Sequence, residues 1–143
     1  HFTLGVHLRR AVSHPSRHRV TFTLLSFGTE PAVQLVAYQD PQGREPFQAW
    51  YAALDGHAAA KVTVALRRLA DGNRSETKPV GSGVLERRID WGPGYRIYVG
   101  LDGARLVVLL GGGTKKRQQR DITAAQARWQ NYKARRNKEE TGE

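Results

Sequence analysis

The segment Glu86–Ile122 constrains this chain most: it reads as three strand-like runs separated by two tight reversals. Val84–Asp90 puts Glu86, Arg88 and Asp90 on one face, opposite Leu85 and Ile89, and the turn Trp91-Gly92-Pro93-Gly94 then reverses the chain. Tyr95–Val99 alternates again, Leu101-Asp102-Gly103-Ala104 makes a second reversal, and Leu106–Leu110 is apolar throughout. Alternation marks a strand with one covered face, and a continuous apolar run marks a central strand covered on both. Two hairpins in series predict an antiparallel meander.

Around it the period changes to that of helices. Phe47, Trp50, Tyr51 and Leu54 recur at helical spacing and stop at Asp55-Gly56. Ala58, Val62, Ala65, Leu66 and Leu69 repeat the pattern up to Asp71-Gly72-Asn73, so a helical hairpin is expected. Lys61 and Arg68 share its outer face, as solvated surface or as RNA contacts. Val33–Tyr38 ahead of it reads as a short strand. After the meander, Thr123 and Gln126 have capping-box spacing, and Ile122, Ala125, Trp129 and Tyr132 form an apolar stripe. The fold class expected is α+β, with two N-terminal helices packed on a small antiparallel sheet and a C-terminal helix. Residues 32–143 make this domain, and 1–31 form an N-terminal extension of a different character.

That extension holds four of the five histidines, and Phe2–Leu8 and Val20–Phe27 have strand character. No cysteine or nearby carboxylate supports a histidine metal site there, so no metal and no cofactor is expected. No apolar run approaches a membrane span and no signal peptide is apparent, which leaves cytoplasm as the default compartment. The chain lacks methionine and begins with His1, pointing to a natural start that was removed or left out.

Charge bears on partners. A net charge of +10 favours a polyanion and says nothing about fold. Arg88 and Arg96 lie on neighbouring strands, and Lys115 and Lys116 leave the third strand after Gly111-Gly112-Gly113, read as a flexible exit. With Arg96 facing outward, such a group can hold a scissile phosphate and neutralise transition-state charge. Glu86 is the one acid placed to act as a base toward a ribose 2′-hydroxyl, or else it pairs with Arg88 or Arg96. From Lys115 to Lys138 nine cations face one acid, Asp121. Arg117, Arg120, Lys133, Arg135 and Arg136 are therefore candidate RNA contacts, expected to be solvated or matched by phosphate. No cysteine nucleophile, serine elbow or Walker loop is present.

The runs V-G-x-G-V-x-E-x-R-I-D-x-G-P-G-Y-R-I-Y (Val80–Tyr98) and L-x-x-L-L-G-G-G-x-K-K-x-Q-x-x-D-I-x-x-A (Leu106–Ala125) resemble the RelE/ParE toxins of bacterial type II toxin–antitoxin modules, in their phage-derived, HigB-like branch. The likeness extends from about Val33 to about Arg136 and excludes the extension. It implies a growth-inhibiting toxin that cleaves mRNA on the ribosome, through the 2′-hydroxyl and without metal. Arg88, Arg96 and Lys115 or Lys116 match the family's phosphate-cradling positions. It implies as partners the ribosome, mRNA and a small helix-turn-helix antitoxin, and no membrane. Two departures stand out. Ile122 occupies the place where such nucleases often carry a proton-transferring Tyr or His. Arg87 replaces an apolar residue, so its head is expected to snorkel from a sheet edge and join the RNA contacts. The alternatives are a ParE-like toxin that inhibits DNA gyrase without nuclease activity, and a non-catalytic nucleic-acid-binding protein.

Overall fold

Four residues set the middle of the sheet. Gln34–Ala37 forms a strand whose Leu35 and Val36 are both buried, each on a different face. In the computed structural model, which describes residues 32–141 in full and the backbone of Leu8–Val12 and Val20–Leu24, these two segments and Gln34–Ala37 are β1, β2 and β3. Helices α1 (Pro46–Ala52) and α2 (Gly56–Ala70) follow, then strands β4 (Thr77–Pro79), β5 (Leu85–Ile89), β6 (Tyr95–Leu101) and β7 (Leu106–Thr114). A single 3-10 turn, Lys115–Arg117, leads into α3 (Gln118–Glu140). The sheet order is β1-β2-β3-β7-β6-β5-β4.

The β5–β6–β7 meander is antiparallel as expected, but the sheet as a whole is mixed, because β3 runs parallel to β7. The helices do not open the domain, since they come after β3, which meets the short strand read at Val33–Tyr38. The parallel pairing has a physical cause: a short run apolar on two sides is most stable in a sheet interior with both faces covered. The predicted strand at Val20–Phe27 is met by β2, which pairs with β3. The one at Phe2–Leu8 lies outside the described residues except for Leu8.

The sheet divides two cores. Phe47, Val62, Leu66 and Leu69 of α1 and α2 pack on Leu35, Ile97, Val99 and Leu109. On the other face Ile122, Ala125, Trp129 and Tyr132 of α3 pack on Val36, Tyr98, Val108 and Leu110. The helix ends follow local chemistry. Pro46 sits in the first turn of α1, where its missing N–H costs nothing. Asp55 caps α2 by accepting from the Ala58 N–H at 2.9 Å. Gly72, at φ +86°, ends α2, and the Asn73 N–H returns to the Arg68 carbonyl at 2.9 Å.

Two local expectations fail. Gly111–Gly113 is not a flexible exit but part of β7, and its glycines make room for large neighbours. The Trp50 ring lies where a Cβ on Gly112 would stand, and the Asp121 carboxylate where one on Gly113 would. Thr123 does not cap α3, which begins at Gln118; its hydroxyl donates to the Gln119 carbonyl at 3.1 Å inside the helix. The first turn of α3 carries few apolar residues, so periodicity could not find it.

Candidate functional site

Arg88 and Arg96 stand directly opposite each other in the β5–β6 register. Like charges in that relation repel, and each is answered by a carboxylate. Arg88 Nε donates to Asp90 at 2.8 Å, with about half of the Arg88 side chain in solvent. Arg96 Nε lies 3.6 Å from Glu86 Oε2, and here the pair is buried: Arg96 is 4% exposed and Glu86 0%. Strand alternation does place Arg96 opposite Ile97, but α3 covers that face, so the expected outward-facing arginine is an interior one.

The role considered for Glu86 changes with it. Its Oε2 accepts from Gln118 Nε2 at 2.7 Å, and Lys78 Nζ stands 3.9 Å from Oε1. A carboxylate sealed from solvent by Arg96, Gln118 and Lys78 cannot reach a 2′-hydroxyl, so the ion-pair reading replaces the general base. Tyr98 shares the pocket, and burial, followed by the Glu86 charge, pushes its phenol well up, keeping it neutral. Gln118 and Tyr98 were missed by sequence reasoning. Gln118 could have been noticed as the uncharged polar residue of K-K-x-Q, but its partner lies 32 positions away.

Lys115 completes this end of the sheet. Its N–H donates to the Gly94 carbonyl at 3.0 Å, and the same carbonyl accepts from Arg96 Nη1 at 3.1 Å. The backbone of Gly94 thus ties Arg96 to the exposed Lys115–Arg117 turn. The structure brings together Arg88, Arg96, Glu86 and Lys115, with Lys116, Arg117 and Arg120 exposed alongside.

The remaining predicted contacts lie elsewhere. The Lys133 ammonium is 5.6 Å above the Trp129 ring, and Arg135 lies 5.4 Å over Tyr38 while donating to the Gln39 carbonyl. Arg136 pairs with Asp102 at 2.8 Å, which also accepts from the Tyr132 hydroxyl at 2.6 Å. These three were expected to be solvated or matched by phosphate. Arg135 and Arg136 instead tie α3 to the loops that follow β3 and β6, while Lys133 lies over a ring of its own helix, its stem along the apolar stripe. Arg87 does not snorkel from an edge. Its side chain is 5% exposed, and Nη1 donates to Glu76 at 2.9 Å and to the Arg88 carbonyl at 2.7 Å. Together with Lys61 and Arg68 it lines a groove beside α2.

Asp121 supplies a pH test. Burial raises its carboxyl above the ordinary value of 3.8, outweighing the nearby Arg117, Arg128 and Arg120. A raised folded-state value means that folding binds the proton, so ionisation at neutral pH opposes folding and acid relieves it. Asp121→Asn is therefore expected to melt higher than the parent at pH 7. The advantage should vanish as pH falls below the ordinary carboxylate range. A thermal-unfolding series across pH checks this, and an equal or lower melting point at pH 7 contradicts it.

An uncharacterized protein of Haemophilus influenzae (strain ATCC 51907 / DSM 11121 / KW20 / Rd) is 41% identical over 80 residues, which cover 55% of this chain and 81% of that protein. No protein-family model matches the chain, and no solved structure matches it. The chain belongs to the same family as this Haemophilus protein.

Proposed function

We propose that the chain is a RelE/ParE-like toxin of a type II toxin–antitoxin module, acting in the cytoplasm as a metal-independent endonuclease on ribosome-bound mRNA. The observation that carries this reading is the register of Arg88 against Arg96, with the Lys115–Arg117 turn held beside it through Gly94. The order strand, helical hairpin, meander and C-terminal helix agrees with such a fold. Among the described residues no helix is long and apolar enough to cross a membrane.

In this reading the exposed Arg88, Lys115 and Lys116 hold the scissile phosphate. The 2′-hydroxyl gives its proton to water and attacks the adjacent phosphorus. The bond to the 5′ oxygen breaks to leave a 2′,3′-cyclic phosphate, the 5′ oxygen takes a proton from water, and the cations offset the added negative charge. Arg96 and Glu86 act as positioning residues beneath the contact. Arg117 and Arg120 meet neighbouring phosphates, and a helix-turn-helix antitoxin silences the toxin by covering this end of the sheet. Burial of Glu86 favours one second reading, a ParE-like inhibitor of gyrase, since phosphate contact without an accessible base suits binding more than cleavage.

Inducing the chain in bacteria separates the two. Translation should stop with new mRNA ends while plasmid supercoiling stays unchanged. Arg88→Ala and Lys116→Ala should each lower the cleavage rate by about 10²–10³-fold, the usual effect of removing one transition-state donor. Growth arrest with intact mRNA and relaxed or broken DNA would favour the gyrase reading. No growth arrest at all would overturn both.

A further inference from the structure

Beside α2, on the sheet face opposite Glu86, lies a groove of about 320 Å³. Its wall on one side is Lys61, Val64 and Arg68, and on the other Arg87, Arg88 and Trp91. Four cations face two carboxylates there, Glu76 and Asp90, and each carboxylate is already paired, with Arg87 at 2.9 Å and with Arg88 at 2.8 Å. Lys61 and Arg68 supply the excess positive charge.

The groove also has an aromatic platform. Trp91 is half-buried and stacks on Tyr95 at 6.1 Å and 22°. The Lys61 ammonium stands 5.7 Å over the Trp91 ring. Val64, the exposed large apolar residue of the described chain, faces the same space. Cations with an aromatic ring and an apolar wall are the combination that holds unpaired bases and their phosphates. At the low end of the pocket range of about 300–1,000 Å³, the space suits a single nucleotide and excludes a duplex. Arg88 borders the groove at the edge of β5 and also stands opposite Arg96 in the β5–β6 register, so one residue is shared with the site described above.

We propose that this groove is a subsite for single-stranded RNA, in which one unpaired base stacks on Trp91 while Lys61 and Arg68 contact the flanking phosphates. It rests on the reading of the chain as an RNA-acting protein and adds where the strand runs beyond the scissile phosphate. On entry the base takes the place of the Lys61 ammonium over the ring, and the ammonium moves to the phosphate. Arg87 keeps the floor of the groove positive, and its pairing with Glu76 holds its head in place.

The test uses the full chain and a short 2′-O-methyl oligouridylate, which cannot be cleaved through the 2′-hydroxyl. Binding is followed by fluorescence anisotropy over a salt series. Trp91→Ala should weaken binding by about 5- to 150-fold, the range for losing one stacked base. Trp91→Phe, which keeps a stacking face, should restore most of the affinity. Lys61→Ala with Arg68→Ala should lower the salt slope by about 1.4, or 0.7 for each lost contact on a single strand. Thermal unfolding of each variant separates lost binding from lost folding.

Unchanged affinity in folded Trp91→Ala, or tighter binding of the matching duplex, overturns the proposal. So does tighter, Trp91-dependent binding of an oligoglutamate peptide, which would make the groove a seat for an acidic protein segment. Growth arrest is scored separately. A chain that arrests growth but shows no Trp91-dependent binding loses only the subsite. One that binds through Trp91 without arresting growth keeps the groove and loses the toxin reading.

Discussion

Arg96→Ala is expected to lose about 3–5 kcal/mol of folding stability, the usual cost of removing one partner from a buried ion pair. Glu86 is sealed from solvent, and Arg96 is the interior cation beside it. Without the guanidinium, a buried charge remains with only Gln118 as a short-range donor and Lys78 at 3.9 Å. Domains are stable by about 5–15 kcal/mol in total, so the loss is a large share. Replacing both partners, as Arg96→Met with Glu86→Leu, should cost far less, because no unmatched charge is left. Urea unfolding of the single and double variants measures this; a single variant within about 1 kcal/mol of the parent contradicts a buried pair. Loss of toxicity in Arg96→Ala would therefore not identify a phosphate contact. Arg88 and Lys116, both exposed, are the functional probes.

Trp129→Ala is expected to cost about 3–5 kcal/mol, as for a large aromatic side chain deleted from a core. Trp129 is 4% exposed and stacks on Tyr132 at 5.4 Å. Its ring lies flat on Gly100, where an added Cβ would stand 2.5 Å from it. Gly100→Ala should thus also destabilise, by about 1–3 kcal/mol of overpacking. In the Trp129→Ala background the extra methyl enters the vacated space, so the two losses should not add. Additive losses in thermal unfolding would show that ring and glycine do not meet.

Local pattern was enough for the meander and the α1–α2 hairpin, whose apolar spacing and turn residues sit within a few positions of one another. It failed where the partner is remote. The position of β3 beside β7 depends on contacts about seventy residues apart, and only the apolar run Leu35-Val36-Ala37 hinted at burial on both faces. Arg96 was read as facing outward because charged residues usually do, and nothing near it or Glu86 in sequence announces Gln118 or the cover of α3. The cations of α3 looked solvated for the same reason. Their acceptors, Gln39 and Asp102, belong to distant loops. Arg88 and Arg96 were legible as neighbours because strand register across a tight turn is local.

The most direct measurement is end mapping of an mRNA on translating ribosomes after addition of the purified chain, with Arg88→Ala/Lys116→Ala as the comparison. New 5′-hydroxyl ends within the translated frame are expected for the parent chain. They should be almost completely lost in the double variant, which should fold and melt like the parent. Intact mRNA with the parent chain, or equal cleavage by the double variant, would contradict it.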